Sequence, residues 1–165
     1  MQIKPYDSTM AVKYAHKWAY DRNPIYYNFD SLGGDCTAFV SQCIYDGSNI
    51  MNYGKLNSWY YNNINDRSPS WSGVEFIYKF LVNNKSVGPF GIEVQANEAM
   101  PGDIVQLSFD GNKFEHSVLI VETINSNNLD TIKIAAHTND ADYRKISTYD
   151  FNKIRFMHIQ GVRTW

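Results

Sequence analysis

The thiol of Cys36 is the side chain in this sequence best suited to nucleophilic chemistry. It follows Gly33-Gly34-Asp35 and begins the segment 36–44, in which apolar residues recur at helical spacing. The sequence therefore predicts Cys36 in the first turn of a helix, where unpaired backbone N–H groups lower a thiol pKa and can hold an oxyanion. The alternative interpretation is a small buried residue, as free cysteines often are. Cys43 lies in the apolar stripe and is expected to be such a core residue, about 10 Å away and unable to bond to Cys36.

A cysteine nucleophile needs a base, and the chain offers four histidines: His16, His116, His137 and His158. His116 precedes a nearly continuous apolar strand, and His137 ends the next predicted strand. If these strands pair antiparallel through the turn at 125–130, position 116 lies near position 139, and His116 and His137 come close together. His16 and His158 are expected to have structural roles. For His116 and for His137, the alternative to a catalytic role is a structural one.

The elements that would position these side chains follow from periodicity and capping signals. Three helices are expected, one beginning at an N-cap Ser8, one running from Cys36 to a C-cap Gly47, and one opening at the capping box Ser72–Glu75. Four strands are expected at 103–109, 114–123, 131–137 and 154–160. The stretch 48–70 is expected to be a long loop with short helical turns. Helices followed by an antiparallel sheet indicate an α+β fold, formed by residues 1–165 as one domain.

Composition and charge narrow the classes of partner. The net charge is -2, from 15 basic and 17 acidic residues, which argues against binding to nucleic acid or to an anionic membrane. No apolar run is long enough to span a bilayer, and no cysteine or histidine spacing indicates a zinc site, so no metal or other cofactor is expected. The expected localisation is extracellular or cell-wall if an upstream signal or module was removed, and cytoplasmic otherwise. The oligomeric state stays open.

An ordered set of motifs resembles a known family. The motifs are Arg22-Asn23-Pro24, Tyr26-Tyr27-Asn28-Phe29, Gly33-Gly34-Asp35-Cys36-Thr37, Arg67-Ser68-Pro69-Ser70-Trp71, Pro101-Gly102-Asp103, His116-Ser117 and Ala136-His137-Thr138-Asn139-Asp140. Together they are similar to the bacterial putative amidase domain family, which is related to the NlpC/P60 cell-wall peptidases. The resemblance spans nearly the whole chain and implies a papain-like α+β fold.

The resemblance also implies roles for particular residues. Cys36 matches the nucleophile and His116 the base, and His137 matches best the third residue that orients the base, with Asn139 and Asp140 as competitors. The implied reaction is hydrolysis of an amide in peptidoglycan stem peptides through a thioester acyl-enzyme. Thr37 departs from the Ser of many relatives, and the insert 48–70 departs from the minimal fold, so the substrate preference of the relatives does not carry over.

Aromatic residues are the candidates for substrate binding. A tyrosine some ten residues before the nucleophile contacts substrate in the NlpC/P60 relatives, and Tyr26 or Tyr27 falls at that distance. Trp59 and Trp71, in or next to the insert, are candidates for a surface that holds a wall polymer or a peptide. If they do so without catalysis, the protein is a binding module. A further alternative is an acyltransferase that uses the same Cys-His pair with an amine acceptor.

Overall fold

The computed structural model describes residues 1–165 and has the expected α+β architecture with an antiparallel sheet. The helices are α1 (Ser8–Trp18), α2 (Cys36–Ser48), α3 (Pro69–Ser72) and α4 (Val74–Asn83). The strands are β1 (Gln2–Lys4), β2 (Tyr61–Asn63), β3 (Asp66–Arg67), β4 (Gly88–Val94), β5 (Ile104–Ser108), β6 (His116–Thr123), β7 (Ile132–Ala136), β8 (Ala141–Lys145) and β9 (Lys153–Thr164). None of the helices has the length and apolar character needed to cross a membrane.

The main sheet has seven strands and is built around the long strand β9. Its order is β1-β9-β5-β6-β7-β8, and β4 pairs with β9 along the other edge of that strand. The four predicted strands correspond to β5, β6, β7 and β9. Three strands of this sheet were not expected, because β1 is only three residues long, β4 contains Pro89 and two glycines, and β8 reads Ala-Asp-Tyr-Arg-Lys without a buried run.

Two apolar cores lie on the two faces of the sheet. Helices α1, α2 and α4 cover one face, where Phe39 and Ile44 of α2 meet Leu119 of β6. The other face carries Val118 and Ile120, which pack with residues from the segment after β8. Neighbouring residues of β6 therefore point alternately toward the helices and toward this second core.

Helix α2 is the buried central helix that the sequence predicts, and the polar side chains in its middle are hydrogen-bonded, whereas Ser48 Oγ at its end has no partner. Ser41 Oγ donates to the Trp71 carbonyl and accepts from Trp59 Nε1, and Gln42 accepts from the Tyr14 hydroxyl. Ten or more residues of this helix can be buried because hydrogen bonds offset the desolvation of these groups.

The predicted helix ends require three corrections. Asp7, and not Ser8, is the N-cap of α1, because its carboxylate accepts from the Met10 N–H. Helix α2 passes through Gly47 and ends in a left-handed C-cap at Asn49, whose φ is 56°. Glycine is needed at position 47 because a Cβ there would lie 2.5 Å from the Tyr6 ring. Helix α4 begins after Gly73, one residue later than the expected cap at Ser72.

The stretch 48–70 is also more ordered than expected. It contains the two-stranded hairpin of β2 and β3, and an antiparallel bridge joins Asn52 to Trp59. The hairpin leads directly into the short helix α3. The expectation of a loop with helical turns was wrong here because Asn-rich strands lack the apolar alternation by which strands are recognised.

Candidate active site

The backbone around Cys36 places its thiol at the opening of α2. Cys36 is the first residue of the helix, after the N-cap Asp35, and its side chain is buried with 8% exposure. The two preceding glycines have φ values of +85° and +102°, which other residues rarely adopt. A Cβ on Gly34 would lie 3.3 Å from Thr138 Oγ1, so the loop approaches the end of β7 closely.

A buried hydrogen bond joins the residue after Cys36 to the residue after His116. The Thr37 hydroxyl donates to Ser117 Oγ over 2.9 Å, and Ser117 Oγ also accepts from Gln106 Nε2 at 3.1 Å. Cys36 Sγ itself lies 3.8 Å from Thr37 Oγ1. The bond fixes the first turn of α2 against the start of β6, which brings the segment containing the thiol to the segment containing His116.

His116 is a buried imidazole that opens onto a cavity. Its exposure is 5%, and the cavity, of about 240 Å³, is lined by Phe109, His116, Thr138, Asn139, Arg144 and Tyr149. Burial lowers the pKa of His116 to about 4, and the positive charge of Arg144 acts in the same direction. The ring makes no hydrogen bond to the protein, whereas the other three histidines pair with carboxylates: His16 with Asp142, His137 with Asp35, and His158 with Asp103.

Two residues of this cavity, Arg144 and Tyr149, were missed by the sequence analysis. The Tyr149 ring centroid is 5.6 Å from that of His116, and its buried hydroxyl has no hydrogen-bond partner. Burial raises the pKa of Tyr149, Arg144 lowers it, and the nearby Cys36 thiol raises it further. Arg144 lies on β8, and its guanidinium stacks 3.6 Å from the centre of the Tyr149 ring. Neither residue belongs to a motif, and the strand that carries Arg144 was not recognised.

His137 does not face His116, which corrects the expectation that it orients the base. His137 Nδ1 hydrogen-bonds to the Asp35 carboxylate, and Nε2–H donates to the Trp18 carbonyl oxygen over 2.7 Å, because a carbonyl can only accept. The ring also stacks on Phe39 of α2 at 3.9 Å. Both nitrogens are therefore occupied on the helix side of the sheet.

The register of β6 and β7 explains this difference. Leu119 pairs with Ala135, so continuing the register by three residues sets position 116 opposite position 138 and not 139. Because side chains alternate between the faces of a strand, the shift of one residue puts His137 on the face opposite to His116. Ser117 and His137 point toward α2, whereas His116 and Thr138 line the cavity.

The two other candidates for the orienting residue have different surroundings. The carboxylate of Asp140 is 2.9 Å from the Arg22 guanidinium, which also binds Asp30. Asn139 lines the cavity that His116 lines, and its φ of 56° is left-handed, as is that of Thr138 at 63°. Non-glycine residues in that region are uncommon, and such strain often accompanies functional sites.

The aromatic candidates are divided by burial. Trp59 and Trp71 are fully buried and pack against each other with ring centroids 5.2 Å apart, so the expectation that they contact substrate is corrected. Tyr26 is half-buried and stacks on Trp71 at 5.6 Å, while Tyr27 is exposed and packs edge-on against Phe29. Only the two tyrosines keep a surface that a substrate could reach. No group of three or more His, Cys, Asp or Glu side chains is placed to hold a metal ion.

Comparisons with known proteins cover most of the chain. A sequence model of the family described as Putative amidase domain matches residues 5–160. The uncharacterized protein YhbB of Bacillus subtilis (strain 168) is 35% identical over an alignment of 127 residues that covers 70% of this chain. The chain spans 37% of the length of that relative. No solved structure matches the chain. Cys36 and all six residues of the cavity lie within the matched range.

Proposed function

The chain belongs to the Putative amidase domain family, and from this premise we propose that it is a cysteine-dependent amide hydrolase with Cys36 as nucleophile and His116 as base. Family membership makes amide hydrolysis the expected activity. The cysteine mechanism is our own inference from the residues around the cavity. The nucleophile and base are proposed as a pair because the Thr37–Ser117 hydrogen bond joins their immediate neighbours.

One observation carries the proposal. His116 is buried, lines a cavity and has a ring free of hydrogen bonds, whereas each of the other three histidines is paired with a carboxylate. Because the ring makes no hydrogen bond within the protein and lines the cavity, its nitrogens are free to bind a group that enters there. A substrate and a thiol would supply the missing partners during turnover.

The proposed reaction is acyl transfer in two halves. Neutral His116 takes the proton of the Cys36 thiol, and the sulfur attacks the amide carbonyl carbon while backbone N–H groups at the start of α2 hold the oxyanion. Protonated His116 then gives its proton to the leaving amine as the C–N bond breaks. In the second half His116 takes a proton from water, the hydroxide attacks the thioester, and the thiolate leaves with recovery of the proton.

Asn139 is the residue that we propose to orient His116. Asn139 lines the same cavity as His116. The His137 ring instead binds Asp35, and the Asp140 carboxylate binds Arg22. An amide can accept from an imidazole N–H and fix the ring direction without adding a charge. This assignment keeps the three-residue logic of the implied family mechanism and changes its third member.

The substrate that we propose is an amide in a peptidoglycan stem peptide. This part of the proposal is supported by the resemblance of the Gly33–Thr37 and His116-Ser117 motifs to those of the cell-wall peptidases. The alternative of a binding module that uses a tryptophan surface is disfavoured, because Trp59 and Trp71 are buried.

The test is mass spectrometry of purified peptidoglycan fragments after incubation with the protein. The expected result is a fragment pair whose masses sum to the substrate plus one water, with a new amine terminus. Cys36→Ala should abolish the products, whereas Cys43→Ala, at the buried second cysteine, should keep them. Equal cleavage by wild type and a folded Cys36→Ala variant would refute the cysteine mechanism. A product that carries an added amine in place of water would identify the acyltransferase alternative.

A further inference from the structure

Arg144 is a cation held in a fixed position in the wall of the cavity. Its Nε donates to Thr148 Oγ1 over 2.8 Å, and Nη2 donates to the Thr148 carbonyl over 3.3 Å. The plane of the guanidinium stacks 3.6 Å from the centre of the Tyr149 ring. These contacts restrain the side chain on two sides, so little rotamer entropy remains to be lost when a ligand binds.

No carboxylate of the protein neutralises this guanidinium. Arg22 pairs with Asp30 and Asp140, and Arg155 pairs with Glu75, but no acidic side chain lies within 4 Å of Arg144. None of the other cavity residues is charged at neutral pH, because the imidazole of His116 is neutral there and the rest are polar or aromatic side chains without a charge. Two of the five N–H donors of Arg144 bind Thr148, which leaves three for another acceptor.

We propose that Arg144 binds a carboxylate of the substrate, so that the preferred substrates are amides with an acidic residue directly beside the scissile bond. The inference rests on the proposed function, because it takes the cavity that His116 lines as the substrate site. A planar guanidinium with free donors matches a carboxylate in two parallel hydrogen bonds. Asn139 and Thr138, which line the same cavity, offer uncharged polar groups to the rest of that residue.

The size of the cavity supports a small acidic group. At about 240 Å³ it is smaller than the roughly 300–1,000 Å³ of sites for drug-sized ligands. One amino-acid residue is therefore a suitable occupant, and a larger polymer would extend from it over the surface. The position of Arg144 beside His116 sets the carboxylate near the reacting bond and not at a remote subsite.

The test compares two series of dipeptide aminomethylcoumarin amides that differ only by Glu or Gln at the position beside the scissile amide. Wild-type protein should cleave the Glu series with a kcat/KM about 10- to 100-fold higher, as expected for a charge-assisted hydrogen bond. In Arg144→Gln the preference for Glu should fall to less than about threefold, mainly because kcat/KM for the Glu series decreases. Lys145→Gln is the matched control, because it removes the same charge from the neighbouring exposed position of β8.

Each outcome bears on the proposal. Equal rates for the two series in wild type, or an unchanged preference in Arg144→Gln, would overturn it while hydrolysis itself still supports the proposed function. Loss of the preference in Lys145→Gln as well would show a general charge effect and would also overturn it. If neither series is cleaved, titration calorimetry compares the affinity of the Cys36→Ser variant for the free Glu and Gln dipeptides. Equal affinities would overturn the inference. The activity itself is tested separately by the peptidoglycan digestion.

Discussion

The protonation of His116 provides the sharpest test of the geometry. Burial and Arg144 lower the pKa of His116 from its ordinary 6.5 to about 4 in the folded protein, whereas the unfolded chain keeps the ordinary value. Between these two values the unfolded state binds more protons, so the free energy of unfolding must fall as the pH is lowered. The contribution is fully present above pH 6.5 and is lost progressively down to pH 4.

The magnitude follows from the two pKa values. A difference of one unit corresponds to about 1.36 kcal/mol, and at pH 4.5 the linkage relation gives a loss of about 2.5 kcal/mol relative to pH 7.5. His116→Gln removes the titrating group, and its loss of packing acts equally at both pH values. The free energy of unfolding, measured by urea denaturation, should therefore fall by about 2 to 3 kcal/mol more in wild type than in His116→Gln between pH 7.5 and pH 4.5.

A second measurement concerns the chemistry. A neutral resting His116 predicts that the acid limb of kcat/KM lies near pH 4, and that NMR titration of the imidazole gives the same value, assigned by comparison with His116→Gln. A resting thiolate–imidazolium pair with Cys36 would raise the pKa of His116 instead, because the negative sulfur stabilises the charged ring. A pKa at or above 6.5, or equal pH dependence of the two proteins, would refute the reasoning.

Three further predictions separate catalytic from structural roles. Cys43→Ala should keep turnover and lower the free energy of unfolding by about 1 kcal/mol, measured by urea denaturation, because Cys43 is fully buried in the core. A folded variant without turnover would contradict this. His137→Ala should lower the free energy of unfolding by roughly 3 kcal/mol, because it removes the nearest partner of the buried Asp35 carboxylate, which then keeps only the Phe29 N–H and Arg22 at 3.7 Å. Asn139→Ala should instead lower kcat by about 10- to 1000-fold with little change in stability, and the reverse pattern would restore His137 as the orienting residue.

The sequence was sufficient for the elements that have strong periodicity. Helix α2 and the strands β5, β6, β7 and β9 were predicted because their apolar residues recur at the spacing of the element and are buried by it. The strands β4 and β8 were missed because their stability comes from pairing with β9 and β7, and pairing partners leave no local signal. Arg144 was missed with β8, so the positive charge that helps to lower the pKa of His116 was outside the reach of sequence reasoning.

The expectation that His137 faces His116 was wrong for a different reason. The segments β6 and β7 and their antiparallel pairing were anticipated, but the predicted register was off by one residue. A register irregularity between Ile120 and Glu122 lies in the stretch that connects the turn to His116. Hydrophobic patterns locate strands but do not reveal such bulges, and a shift of one residue moves every side chain to the other face.

The contacts of residues 34–37 explain why two distant motifs belong to one structural unit. Gly34 approaches Thr138, the Asp35 carboxylate binds His137, and Thr37 binds Ser117, so three of these four residues are tied to the ends of β7 and β6. The residue between them is Cys36, whose backbone position is therefore determined from both sides. In the proposed mechanism a thiol fixed in this way needs no reorganisation before attack, which is the condition under which a helix N-terminus stabilises a developing oxyanion most effectively. His137 contacts Asp35, Trp18 and Phe39, so in the proposed mechanism its part is to hold the segment that carries Cys36.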